Sequence, residues 1–174
     1  LRNLAISLWA TSTMRNGGED ISQILALMGI QPVWDYATKR VIDLEIIPLS
    51  ILDRPRVDIL IRISGLFRDS FPQLIELLYI AQNTLSKLDE DKDLNPYIKS
   101  DLNGTNNSRI FGSAPGSYGA GLQEIISSSA WDSKEDLVKS YINWSKWSYK
   151  SDANPTLNKS ELQSQLNKIQ VVIQ

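Results

Sequence analysis

The chain contains no cysteine and no histidine among its 174 residues. The first absence excludes disulfides, thiolate metal sites and cysteine nucleophiles. The second excludes an imidazole base, a histidine-dependent triad and imidazole metal ligands. Only carboxylates, hydroxyls and carbonyls remain to touch a metal, a donor set suited to hard cations. An excess of one charge is also missing. With 18 Lys and Arg against 20 Asp and Glu, the net charge of −2 creates no field to draw nucleic acid or an anionic membrane. No uninterrupted apolar run approaches the roughly 20 residues of a membrane-spanning helix. The opening Leu1-Arg2-Asn3-Leu4 is neither a signal peptide nor a natural start, so the chain reads as a fragment of a longer protein.

Length and composition, 42% apolar and 22% charged, suit a single α/β domain or sub-domain over residues 1–174. Glycine is scarce but concentrated. Seven of the nine glycines (Gly17, Gly18, Gly65, Gly112, Gly116, Gly119 and Gly121) fall in three polar loops, each following an apolar stretch that reads as a strand. The loops are Thr11 to Asp20, Ser64 to Ser70, and Gly112 to Gly121. In an open α/β sheet, loops at the carboxyl ends of strands gather on one edge, where ligands bind.

The apolar run Leu4 to Ala10 reads as a buried strand. Ile21, Ile24, Leu25 and Met28 recur at helical spacing, with Glu19 and Asp20 in the first turn and Gly29 at the end. Pro32 to Asp35 is extended, Asp35 to Arg40 a turn, and Val41 to Ile47 a strand with one wet face near an edge. Val57, Ile59, Ile61 and Ile63 alternate in a β-branched run that predicts a central strand. Ser70 can cap a helix with Pro72 in its first turn, continuing to Leu88. Residues 89–108 read as a mobile acidic and polar loop with a turn near Tyr97 and Ile98. Arg109 to Phe111 is a short strand. Leu122, Ile125 and Ile126 begin another helix, and Asp132 or Ser133 caps the next, whose stripe runs Leu137, Val138, Tyr141, Trp144 and Ser148. Residues 156–174 predict a last helix, with Val171 to Ile173 equally readable as a strand. The fold expected is α/β, a three-layer αβα arrangement with a mainly parallel sheet plus an added hairpin-like edge strand.

Each loop has a functional and a plainer reading. Gly17-Gly18 before a helix offers free N–H groups, with Thr11, Ser12, Thr13 and Arg15 completing an anion cradle. Equally, two glycines merely shape a turn, and Glu19 and Asp20 already occupy the positive helix end. Neither a Walker loop nor a Gly-x-Gly-x-x-Gly fingerprint is present. Arg68-Asp69 after Ser64-Gly65 can grip a ligand carboxylate, or can pair internally and pin the loop. Arg62, opposite the Ile61 and Ile63 face, points to a partner or polar cleft. In the third loop, four glycines suit a lid or cradle with Tyr118 against a flat ligand, or a tight crossing against a helix.

Four ordered blocks carry a resemblance: Thr11 to Ile21, Arg54 to Asp58, Arg62 to Pro72, and Arg109 to Gly121. Together they resemble the C-terminal part of the large, CobN-type subunit of ATP-dependent cobaltochelatase, with the H-type subunit of magnesium chelatase as a relative. Arg15 with Gly17-Gly18, and the run Gly116 to Gly121, look more like the cobalt branch. The resemblance implies a complete subunit that binds a corrin-type tetrapyrrole, hydrogenobyrinic acid a,c-diamide, and inserts Co(II) during cobalamin synthesis in the cytoplasm. Cobalt is substrate there and is held upstream of these residues. An AAA+ ATPase subunit and its companion carry ATP and Mg. Nucleic acid and a membrane span are not expected, and this portion alone is expected to be inactive. The implied substrate-binding residues are Thr11, Ser12, Arg15, Gly17, Gly18, Arg62, Ser64, Gly65, Arg68, Asp69, Arg109, Gly116, Ser117, Tyr118 and Gly119. Two alternatives are a magnesium chelatase subunit acting on protoporphyrin IX and a non-catalytic docking module for the AAA+ complex.

Overall fold

The computed structural model describes residues 1–98, 108–150 and 155–173. In chain order the elements are β1 (Asn3–Leu8), α1 (Ala10–Asn16), α2 (Glu19–Met28), β2 (Ile30–Trp34), β3 (Val41–Ile46), α3 (Leu49–Leu52), β4 (Asp58–Ile63), α4 (Gly65–Ser70) and α5 (Pro72–Leu85). The second half adds β5 (Ile110–Gly112), α6 (Gln123–Ser127), α7 (Lys134–Ser145), β6 (Trp147–Ser148), β7 (Thr156–Leu157), α8 (Lys159–Leu166) and β8 (Val171–Ile173).

Among the described residues six strands form one sheet in the order β7-β6-β5-β4-β1-β8. β8, β1, β4 and β5 run parallel, while β6 and β7 add antiparallel pairs at one side. Strand periodicity divides the core into two faces. Leu4, Ile6 and Leu8 of β1 and Ile59, Ile61 and Ile63 of β4 pack with Ile24, Leu25 and Met28 of α2 and Leu78, Ala81 and Leu85 of α5. On the other face Leu60 and Phe111 meet Ile142 of α7 and Leu162 of α8. This is the expected three-layer α/β arrangement.

The hairpin-like addition takes a different place. β2 and β3 pair antiparallel in a separate two-stranded sheet, not at an edge of the main one. The C-terminal region also departs from a single helix over 156–174, because α8 ends at Leu166. β-Branched Val171, Val172 and Ile173 instead pair with Leu4, Ala5 and Ile6. The resulting edge strand leaves Val171 and Val172 exposed. The helix carrying Tyr141 and Trp144 stops at Ser145, since Trp147 and Ser148 join the sheet and the Tyr149 N–H donates to the Ile110 carbonyl. Its start is as expected: the Ser133 N–H donates to the Asp136 carboxylate at 3.2 Å.

The segment expected to be mobile over 89–108 is fastened in its first part, while 99–107 lie outside the described residues. Tyr97 and Asn95 are fully buried. The Tyr97 hydroxyl donates to the Val57 carbonyl at 2.8 Å, and burial pushes its phenol pKa up. Arg56, also fully buried, forms a two-point pair with Glu90 at 2.9 and 2.8 Å and donates to the carbonyls of Met28, Gly29 and Ile47. One guanidinium thus ties the end of α2, the end of the β2–β3 hairpin and the 90s segment together.

Candidate functional site

The first two glycine-bearing segments are helical where loops were expected. Ala10 to Asn16 forms α1 directly after β1, and Gly65 to Ser70 forms α4 directly after β4. Both are short and polar, so neither shows the apolar periodicity by which a helix is read from sequence. Ser64 caps α4, its Oγ accepting from the Phe67 N–H at 3.1 Å. Ser70 closes α4 and does not cap α5, which begins with Pro72 in its first turn. Gly17 and Gly18, both in the left-handed region, separate α1 from α2. Asn16 Oδ1 accepts from the Gly18 and Glu19 N–H groups at 2.9 and 3.2 Å, so the N-cap amide and the first amide of α2 are already occupied.

Residues 113–122 form an extended loop after β5. Since β1, β4 and β5 are parallel neighbours, the segments that follow them share one edge of the sheet. α1 lies against α4, and α4 against the third loop. That second contact requires glycine: a Cβ on Gly65 would sit 2.5 Å from the Ser117 carbonyl oxygen and 2.8 Å from Tyr118 Cδ1. Gly121 fills a similar role at the far end of the loop, where a Cβ would lie 2.4 Å from the Trp144 Cβ. The tight crossing against a helix is therefore real at Gly121.

Arg68 supplies the internal pinning contact. Its Nε and Nη2 meet Asp69 at 2.7 and 3.0 Å, and Nη1 donates to the Ala114 carbonyl at 2.7 Å. Ser113 and Ser117 oxygens lie at 3.3–3.4 Å from the same nitrogen. Arg68 is buried, so the expectation that it grips a ligand carboxylate gives way to the pinning role. Its hydrogen bond holds the Asp69 carboxyl below the usual carboxylate range. Asp69 also accepts from the Tyr118 hydroxyl at 2.8 Å, which raises the phenol pKa. Tyr118 stays exposed, its ring 5.6 Å from the Arg68 guanidinium carbon.

Arg109 does not join this edge. It precedes β5 at the amino end of the sheet, paired with Asp58, and donates to the Pro96 carbonyl at 2.8 Å. Asp58 and Ile63 stand five residues apart on β4, roughly 16 Å at strand rise, which separates Arg109 from the loops. The ion pair joins residues distant in sequence and left no local signal. Arg62 does reach the carboxyl edge, on the α7 face. Its Nη2 donates to the Gly119 carbonyl at 2.9 Å, and its guanidinium carbon lies 5.9 Å from the Trp9 ring centroid and 5.8 Å from that of Tyr141. Neither ring was singled out from sequence: Trp9 falls in the apolar run read as a strand, and Tyr141 in the stripe of the helix that Asp132 or Ser133 caps.

Thr11 and Ser12 stand in the first turn of α1 beside this edge, whereas Arg15 is exposed in its last turn. Gly17 and Gly18 lie a further helix length away, roughly 10 Å. Gly116 is exposed at the tip of the third loop. Behind that loop a cavity of about 480 Å³ is walled by Tyr118, Gly121, Glu124, Ile125, Ser140 and Trp144. Among the described residues no group of three or more carboxylates is placed to hold a metal, and no helix is long and apolar enough to cross a membrane.

A mainly parallel sheet whose carboxyl edge carries a pinned glycine-rich loop, an aromatic-flanked arginine and an adjoining cavity makes this an α/β domain with a candidate ligand edge. The family model described as CobN/Magnesium Chelatase matches residues 1–174, and the chain belongs to that family. It is 41% identical to the aerobic cobaltochelatase subunit CobN of Pseudomonas aeruginosa over 189 residues, covering 99% of this chain and 15% of that protein. Against the H-type subunit of magnesium chelatase from Rhodobacter capsulatus, identity is 29% over 183 residues, again 99% of this chain and 15% of the relative. The solved catalytic subunit of cobaltochelatase from Mycobacterium tuberculosis superposes with a TM-score of 0.90 at 38% identity, over 98% of this chain and 15% of that one. The chain thus spans about 15% of the length of these relatives.

Proposed function

We propose that this chain forms part of the wall of a tetrapyrrole-binding cleft in the large subunit of a cytoplasmic, ATP-dependent cobaltochelatase. The complete subunit would insert Co(II) into hydrogenobyrinic acid a,c-diamide during cobalamin synthesis. Cobalt is substrate in this reading and is handled outside these residues, while ATP and Mg act on an AAA+ partner and its companion. Insertion needs a metal stripped of water, a distorted ring and a base for two pyrrolic protons. The contribution of this chain is shape: a rigid edge over which the third loop presents Tyr118 beside a cavity. The observation that carries the reading is the docking of that loop on Gly65, which brings the segments after β4 and β5 together. Higher identity to the cobalt relative than to the magnesium one supports the cobalt branch.

Binding titrations of the full-length protein test the branch. The corrinoid is expected to bind more tightly than protoporphyrin IX, and the reverse order would overturn the cobalt assignment in favour of magnesium chelation. A docking module for the AAA+ complex is the second reading. It is favoured by one observation: Trp34, Tyr36 and Ile42 on the β2–β3 hairpin and Ile51 on α3 are all exposed. Unchanged corrinoid affinity in Gly116→Val, alongside lost coupling of ATP hydrolysis, would replace the cleft reading by this one.

A further inference from the structure

Arg56, Arg68 and Arg109 each meet a carboxylate, at Glu90, Asp69 and Asp58. Arg62 meets none among the described residues. Its Nη2 reaches a backbone carbonyl, and its Nε is buried without any hydrogen-bond partner. An unpaired donor on a charged group is costly to bury, because desolvation is not offset by a counter-charge. The position adds meaning to the deficit. Arg62 is the penultimate residue of β4, at the carboxyl edge and beside the exposed Trp9. Through Gly119 it touches the loop whose neighbours Tyr118, Ala120 and Gly121 line the cavity. A guanidinium presents a planar fork matched to a carboxylate, and the nearby rings of Trp9 and Tyr141 offer apolar flat surface.

Building on the cleft reading above, we propose that Arg62 is the carboxylate anchor of this edge, taking an acidic side chain of a flat macrocycle whose ring lies toward Trp9 and Tyr118. Arg68 and Arg109, already neutralised, do not share the task. The carboxylate supplies the counter-charge that the fold withholds, and competes with the Gly119 carbonyl for the same guanidinium. Charge on the ligand is therefore read at Arg62, whereas ring shape is read by the loop and its cavity.

The test uses the full-length protein with two probes, hydrogenobyrinic acid a,c-diamide and its methyl ester, which carry the same ring but differ in carboxylate charge. The wild-type protein should prefer the acid on the order of tenfold or more, as expected of a hydrogen bond between charged groups. Arg62→Gln should abolish that preference while retaining the ester's affinity. Arg62→Lys, which keeps the charge without the fork, should retain an intermediate preference and guards against a folding defect in the first variant. If Arg62→Gln weakens acid and ester equally, the anchor is overturned but the cleft stands. Equal binding of both probes by the wild type also overturns the anchor. If the wild type binds neither probe, the cleft reading itself fails and the anchor with it.

Discussion

At Arg56 the guanidinium is closed off by Glu90 and three backbone carbonyls, deep beneath the hairpin. The pair works as a staple between segments far apart in sequence, and its energetics have a definite pH signature. The Arg56 hydrogen bond holds the Glu90 carboxyl below its ordinary value of 4.5. The folded state therefore binds this proton less readily than the unfolded chain. The stabilisation is complete above roughly pH 4.5 and is lost as pH falls through the folded value. Glu90→Ala should cost about 3 kcal/mol near neutrality, because it leaves Arg56 buried without its counter-charge. Urea denaturation across pH should show the gap between variant and wild type narrowing below pH 4.5. A gap independent of pH would mean that the staple acts by packing and not by charge.

At the scale of the element, α4 and the third loop behave as one unit. Gly65→Ala drives a methyl group into the Ser117 carbonyl and Tyr118, so one of the two segments must shift. The expected cost is roughly 1–3 kcal/mol, as for other overpacked contacts. It should appear as a lowered denaturation midpoint together with faster proteolysis between residues 113 and 122. Loss of stability with unchanged loop cleavage would locate the strain elsewhere. This pairing shows what a sequence can and cannot reveal. β1 and β4 were legible because β1 lies in a compact apolar run, while Val57, Ile59, Ile61 and Ile63 alternate on the single face that packs against α2 and α5. α1 and α4 were not, since Thr11-Ser12-Thr13 and Phe67-Arg68-Asp69 have helical neighbours only through tertiary packing. The edge on which the candidate site lies was legible from glycine placement after strands. The partners within it were not. Nothing local in the sequence shows that Arg68 turns to Ala114, that Arg109 pairs with Asp58, or that Arg62 comes to rest near Trp9 and Tyr141.

Across the whole molecule, the sheet has a fastened rim and an open one. The amino ends are locked by the Asp58–Arg109 and Arg56–Glu90 pairs and by the buried Tyr97 hydroxyl. At the carboxyl ends Arg62 has no carboxylate partner among the described residues. On that rim Arg68 and Asp69 neutralise each other while Arg62 is left without a counter-charge, which suits recognition of a ligand that brings its own. The side of the sheet has a consequence of its own. β8 is bonded to β1 along one flank, and Val171 and Val172 are exposed. Such a strand is a template: its free backbone groups invite another extended segment to pair. Sedimentation of the 174-residue chain should therefore reveal concentration-dependent self-association that Val172→Lys suppresses. A chain that remains monomeric at every concentration would show that the flank is too short to recruit a mate. Where the flank does recruit one, the hydrogen-bonded ladder continues past β8 and the parallel sheet serves as a seam, joining this piece of architecture to whatever extended segment lies alongside it.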